Sequence, residues 1–99
     1  MGAKLARPDR QVICLVGDGD FSMSMQDIET AVREKINVVT IVHNDSSFSS
    51  VKMLQKRQYG RTIGVDFSNT DFAQFAENCG ARGIRVERPG EIRPALEAA

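Results

Sequence analysis

Apolar residues gather in two short uninterrupted runs, and a segment of three-and-four spacing lies between them. The runs are Val12-Ile13-Cys14-Leu15-Val16 and Val38-Val39-Thr40-Ile41-Val42. Neither alternates with polar residues, which is the pattern of strands covered on both faces in a parallel sheet. Between them Met25, Ile28, Ala31 and Val32 share one helical face. The pattern predicts strands at 11–16 and 38–43 and a helix over 22–35. Two parallel strands joined by a helix form a right-handed βαβ unit.

The flanks are read from their punctuation. Ala3 to Ala6 forms the tail of a helix halted by Pro8. Ser46 or Ser47 caps a helix that carries Val51 and Leu54 and stops at 58–61, and 64–68 is loop. Asn69 or Thr70 is the expected N-cap of a helix over 71–79, with Phe72, Phe75 and Ala76 on one face. Gly80 fits the left-handed position that follows. A short strand at 84–86 and a last helix from about 90, with Pro94 in its first turn, complete the expectation. The fold class is α/β: a three-layer parallel sheet with helices on both faces.

Composition narrows the function classes. A chain of 99 residues makes at most one small domain, and 41% hydrophobic with 26% charged residues is ordinary for a globular protein. Thirteen basic residues balance thirteen acidic ones. No excess charge recruits nucleic acid, and Lys52, Lys56, Arg57 and Arg61 read as a solvated helix face. Cys14 and Cys79 lack disulfide or metal-ligand spacing, so both read as small buried hydrophobes in a reducing, cytoplasmic setting. No stretch reads as a signal peptide or a membrane span.

The chemistry concentrates where the runs end. Gly17-Asp18-Gly19-Asp20-Phe21 follows the first strand directly, and His43-Asn44-Asp45-Ser46 follows the second. Adjacent parallel strands bring Asp18 and Asp45 to one rim of the sheet, where open α/β folds bind ligands. Gly17 permits a sharp turn and Gly19 lets the backbone approach a ligand closely. A helix N-terminus there favours phosphate, which the Asp18 charge repels unless a cation lies between them. Magnesium suits one or two carboxylates plus phosphate oxygens. Two aspartates that simply cap turns explain the same residues, and both readings stand on the pattern alone. The segment is not a GxGxxG fingerprint, because the last glycine is lacking.

At these residues the chain resembles thiamine diphosphate-dependent enzymes, most closely the acetolactate synthase-like branch. The family motif opens with GDG after a strand and closes with NN or ND after the next. Here it runs from Gly17-Asp18-Gly19-Asp20-Phe21-Ser22-Met23 to Ile41-Val42-His43-Asn44-Asp45. Gly2 to Pro8, Gly64-Val65-Asp66-Phe67, Asp71-Phe72, Ala76 and Gly80-Ala81-Arg82-Gly83 resemble other family segments, so the likeness covers nearly the whole chain. It implies that residues 1–99 are a partial domain for thiamine diphosphate and magnesium. Gly17, Asp18, Gly19, Asp20, Phe21, Asn44 and Asp45 are then cofactor-binding, and Asp18, Asp45 and the Ser47 carbonyl hold magnesium. Asp45 stands where the family often has asparagine. His43 is expected to be structural, and Phe48, Ser49 and Ser50 to line the pocket.

The same resemblance implies what the chain does not carry. The glutamate that activates the cofactor belongs to a pyrimidine-binding domain, so no catalytic residue is assigned here. The expected partners are that domain, from the same or another chain, further copies in a homo-oligomer, and a small 2-keto acid substrate. The implied function is the magnesium and thiamine diphosphate anchor of an enzyme that decarboxylates 2-keto acids and transfers the acyl remainder. The chain reads as a fragment, a truncated gene product or a piece needing partners, and alone it is expected to be inactive. The alternative is a non-catalytic α/β fragment or an oligomerising module without cofactor.

Overall fold

A computed structural model describes all 99 residues. The two apolar runs form β1 (Ile13–Gly17) and β2 (Val39–His43), paired as a two-stranded parallel sheet. Where β1 ends, the chain turns at once into α2 (Asp18–Ser22), and α3 (Asp27–Arg33) follows. The single helix predicted over 22–35 is therefore two short ones. The amides of Met23 and Ser24 reach back three residues, to Asp20 and Phe21, which tightens the end of α2 into turns. Met25, Ile28 and Ala31 are half-buried as the spacing predicts, whereas Val32 is just exposed.

The chain divides into two compact units, Cys14–Met25 with Thr40–Thr70, and Met1–Ile13 with Gln26–Val39 and Asp71–Ala99. The first of these holds most of both strands, α2 and α4 (Ser49–Tyr59). Its core centres on Phe21 and on Val65, which is 3% exposed. The loop over 63–68 is tied down by an antiparallel bridge between Ser47 and Asp66. The Phe48 amide donates to the Val65 carbonyl at 2.9 Å, and the Phe67 amide to the Ser46 carbonyl at 3.1 Å. The Phe48 and Phe67 rings meet edge to face at 5.0 Å. α4 ends as expected, on Gly60 in the left-handed region at φ 67°.

The other unit contains α1 (Gly2–Ala6), α3, α5 (Phe72–Asn78), a 3₁₀ turn (Pro89–Glu91) and α6 (Ile92–Ala98). Asp71, not Asn69 or Thr70, caps α5: its carboxylate accepts from the Gln74 amide at 2.9 Å. Gly80 takes the left-handed position, φ 83°. Residues 84–86 are not a strand, because no neighbouring strand offers them a ladder.

Two burial expectations change. Ile13 is 62% and Leu15 67% exposed, so β1 is not covered on both faces, and the sheet has two strands rather than a filled middle layer. Cys14 is consequently exposed, and Cys79 is only half-buried. Both thiols are free. No helix is long and apolar enough to cross a membrane.

Candidate functional site

The loops that follow β1 and β2 meet at Asp18. This residue is the first of α2 and is 2% exposed, so its carboxylate has left water almost entirely. Burying an anion requires donors, and three backbone N–H groups supply them. The Gly19 amide donates to Oδ1 at 2.8 Å, while the amides of Asp45 and Ser46 donate to Oδ2 at 3.1 and 2.6 Å. Asp18 thus joins the two loops through its side chain. Its backbone carbonyl also accepts from the Ser22 hydroxyl at 2.7 Å, which closes the first turn of α2.

The second loop is shaped to make that contact. Ser46 lies at φ 57°, in the left-handed region that side chains other than Asn, Asp and Gly seldom enter. This turns its N–H onto Asp18. The Asp45 carboxylate folds back along its own loop. Oδ1 accepts from the Ser47 amide at 3.1 Å and the Ser47 hydroxyl at 3.2 Å, and Oδ2 accepts from the Ser49 hydroxyl. The Ser49 hydroxyl, then the Ser47 groups and the Lys52 charge, hold the Asp45 carboxyl below the usual carboxylate value, against a smaller opposing effect of desolvation. Lys52 itself pairs with Asp66 at 2.5 Å.

The other expected site residues fall around this junction. Ser47 is buried, and Asn44 is exposed, with its amide group donating to Asn69 Oδ1 at 2.9 Å. Asp20 is exposed and Phe21 buried beneath the turn. Gly17 has room for a Cβ, which would sit 3.7 Å from the Asp20 carboxylate. Gly19 has none: a Cβ there would come within 2.6 Å of two Phe48 ring atoms. The space that the sequence assigned to an approaching ligand is taken, on this side, by Phe48. His43 is exposed at the end of β2.

The donor set suits a hard cation. Asp18 is a buried carboxylate in no ion pair, and three dipoles rather than a basic side chain hold it. Nowhere do three or more His, Cys, Asp or Glu side chains converge. The polar groups of Asp18, Asp45 and Ser47 are carboxylate, carbonyl and hydroxyl oxygens, the donor types that magnesium takes rather than zinc. Sequence reasoning missed Ser46. No residue-type signal marks it, because serine is an uncommon choice for a left-handed turn.

Comparison with known proteins gives this junction a context. The family model described as "Thiamine pyrophosphate enzyme, C-terminal TPP binding domain" matches residues 1–99. The chain belongs to this thiamine pyrophosphate enzyme family. It is 44% identical over 96 residues to the acetolactate synthase of Bacillus subtilis (strain 168), matching 97% of this chain and 17% of that protein. It is 38% identical over 91 residues to 2-hydroxyacyl-CoA lyase 2 of Homo sapiens, matching 92% of this chain and 14% of the lyase. Among solved structures, the thiamine diphosphate-dependent 4-hydroxybenzoylformate decarboxylase of Rhodococcus jostii RHA1 superposes with a TM-score of 0.90 at 36% identity. That match covers 98% of this chain and 19% of the decarboxylase. The chain thus spans less than a fifth of the length of these thiamine pyrophosphate enzymes. Their names give different activities: a synthase, a lyase and a decarboxylase.

Proposed function

We propose that this chain anchors the diphosphate end of thiamine diphosphate through magnesium, as part of an acetolactate synthase-like enzyme that decarboxylates 2-keto acids and transfers the acyl remainder. The observation that carries the reading is the Asp18 carboxylate, buried without a counter-charge at the meeting point of the two loops. Asp18, Asp45 and the Ser47 carbonyl are the groups that would hold the ion. Backbone groups of Gly17, Gly19 and Asp20, with Phe21 packed beneath and Asn44 alongside, would orient the diphosphate. When bound, the cofactor supplies the carbanion chemistry, and the protein's task is binding and orientation. The chain's own groups move no proton in this scheme.

Proton transfer to the cofactor then falls to a pyrimidine-binding domain of the same or another chain, in a homo-oligomer of the larger enzyme. Two free thiols support a cytoplasmic setting. Isothermal calorimetry with thiamine diphosphate over a magnesium series tests the anchor. Magnesium-dependent binding that disappears in Asp18→Ala is expected, and heat that ignores both magnesium and Asp18 would overturn it. Acetolactate formation from pyruvate by the chain alone would contradict the division of labour.

A second reading draws on β1. Its exposed Ile13 and Leu15 suit an α/β module that self-associates without cofactor. Absence of calorimetric heat at every magnesium level, with concentration-dependent association, would favour it.

A further inference from the structure

Around Asp45 there are more hydrogen-bonding contacts than hydroxyl protons. The Ser47 hydroxyl reaches Oδ1 at 3.2 Å, the Ser49 hydroxyl reaches Oδ2, and the two serine oxygens lie 2.9 Å apart. Each hydroxyl has one proton to give and two lone pairs with which to accept. Three contacts therefore share two protons, and three arrangements are open. In one, both serines donate to the carboxylate. In a second, Ser47 donates to Ser49 Oγ and Ser49 to Oδ2. In the third, Ser49 donates to Ser47 Oγ, Ser47 donates to Oδ1, and Oδ2 is released. Passing from the first to the third takes only rotation of the Ser49 O–H, a fast motion.

The rest of the loop stays fixed meanwhile. Asp18 Oδ2 holds the Asp45 and Ser46 amides, and Asp45 Oδ1 holds the Ser47 amide, in all three arrangements. Asp45 Oδ2 is the oxygen of this carboxylate with one donor rather than two. It is the natural point for a cation.

We propose that Ser49 is a positioning residue for Asp45: its hydroxyl fixes the carboxylate before the cation arrives and turns to Ser47 when Oδ2 is taken. Displacing this donor leaves no polar group unsatisfied, because Ser47 Oγ is already within reach. The proposal rests on the reading of Asp45 as a magnesium ligand.

The test is calorimetry of the full 99-residue chain with thiamine diphosphate over a magnesium series, with the metal-free melting temperature recorded for each variant. Ser49→Ala is expected to raise the half-saturating magnesium concentration roughly 10-fold, in line with other residues that orient metal ligands. Ser49→Thr, which keeps the hydroxyl, should restore it. An unchanged magnesium midpoint in Ser49→Ala overturns the proposal, as does a change that follows the melting temperature and is not rescued by threonine. If the unmodified chain binds nothing, the anchor reading itself fails. If it binds and loses binding in Asp18→Ala while Ser49→Ala is silent, only the role of Ser49 falls.

Discussion

Held at φ 57°, Ser46 gives up about 1 kcal/mol or more of backbone preference to point its amide at Asp18. Ser46→Gly should leave stability nearly unchanged, because relief of this strain is offset by added chain entropy. Ser46→Val should cost about 1–2 kcal/mol, read from denaturant melts. Asp18→Asn tests the buried anion without changing its shape. The asparagine keeps one acceptor oxygen and turns an NH₂ group toward backbone donors, so a loss of about 1–3 kcal/mol is expected. At Asp45 the sign is that of a lowered carboxyl: its contribution is complete above the ordinary value of 3.8 and is lost as pH falls through the lower folded value. Acid titration followed by carboxyl ¹³C shifts should show Asp45 protonating below its usual range in the unmodified chain and higher in Ser49→Ala. Asp18 and Asp45 were legible in the sequence because each carboxylate closes an apolar run. The pattern offers Ser46 as a helix cap and the resemblance offers Ser49 as a pocket residue, whereas in the structure the first acts through a torsion and the second through a single hydroxyl.

At the scale of elements, glycine packing is the sharper probe. A Cβ on Gly83 would collide with the backbone of Ala73 in α5. Gly83→Ala should therefore cost about 2 kcal/mol or more, since backbone moves less readily than a side chain. Gly19→Ala should cost less and be partly relieved by Phe48→Ala, which removes the ring it strikes. Both are measurable as midpoint shifts in urea. The strands and the longest helix, α4, could be read from apolar runs and from Gly60. Helix boundaries near the site could not. α2 begins at Asp18 because the tertiary bonds to the second loop fix that residue, and the periodic apolar positions start only at Met25. The strand expected at 84–86 shows the same limit: its residue types favour a strand, but a strand exists only where another offers a ladder.

Taken whole, the molecule combines a formal charge of zero with an apolar strand open to water at Ile13 and Leu15. Self-association should therefore peak near pH 6.6 and weaken in Leu15→Lys, as sedimentation velocity would show. The α/β class was evident from continuous apolar runs flanking a helical period. The two-stranded extent of the sheet was not, since a strand pattern does not count its neighbours. Membership in the thiamine pyrophosphate enzyme family rests on the full 99 residues, and the proposed anchor centres on the buried carboxylate of Asp18. The most direct test is ³¹P NMR of thiamine diphosphate with magnesium, in the presence of the unmodified chain and of Asp18→Ala. The account predicts shifted, broadened diphosphate resonances with the unmodified chain and free-cofactor resonances with the variant. Identical spectra from the two chains would contradict it.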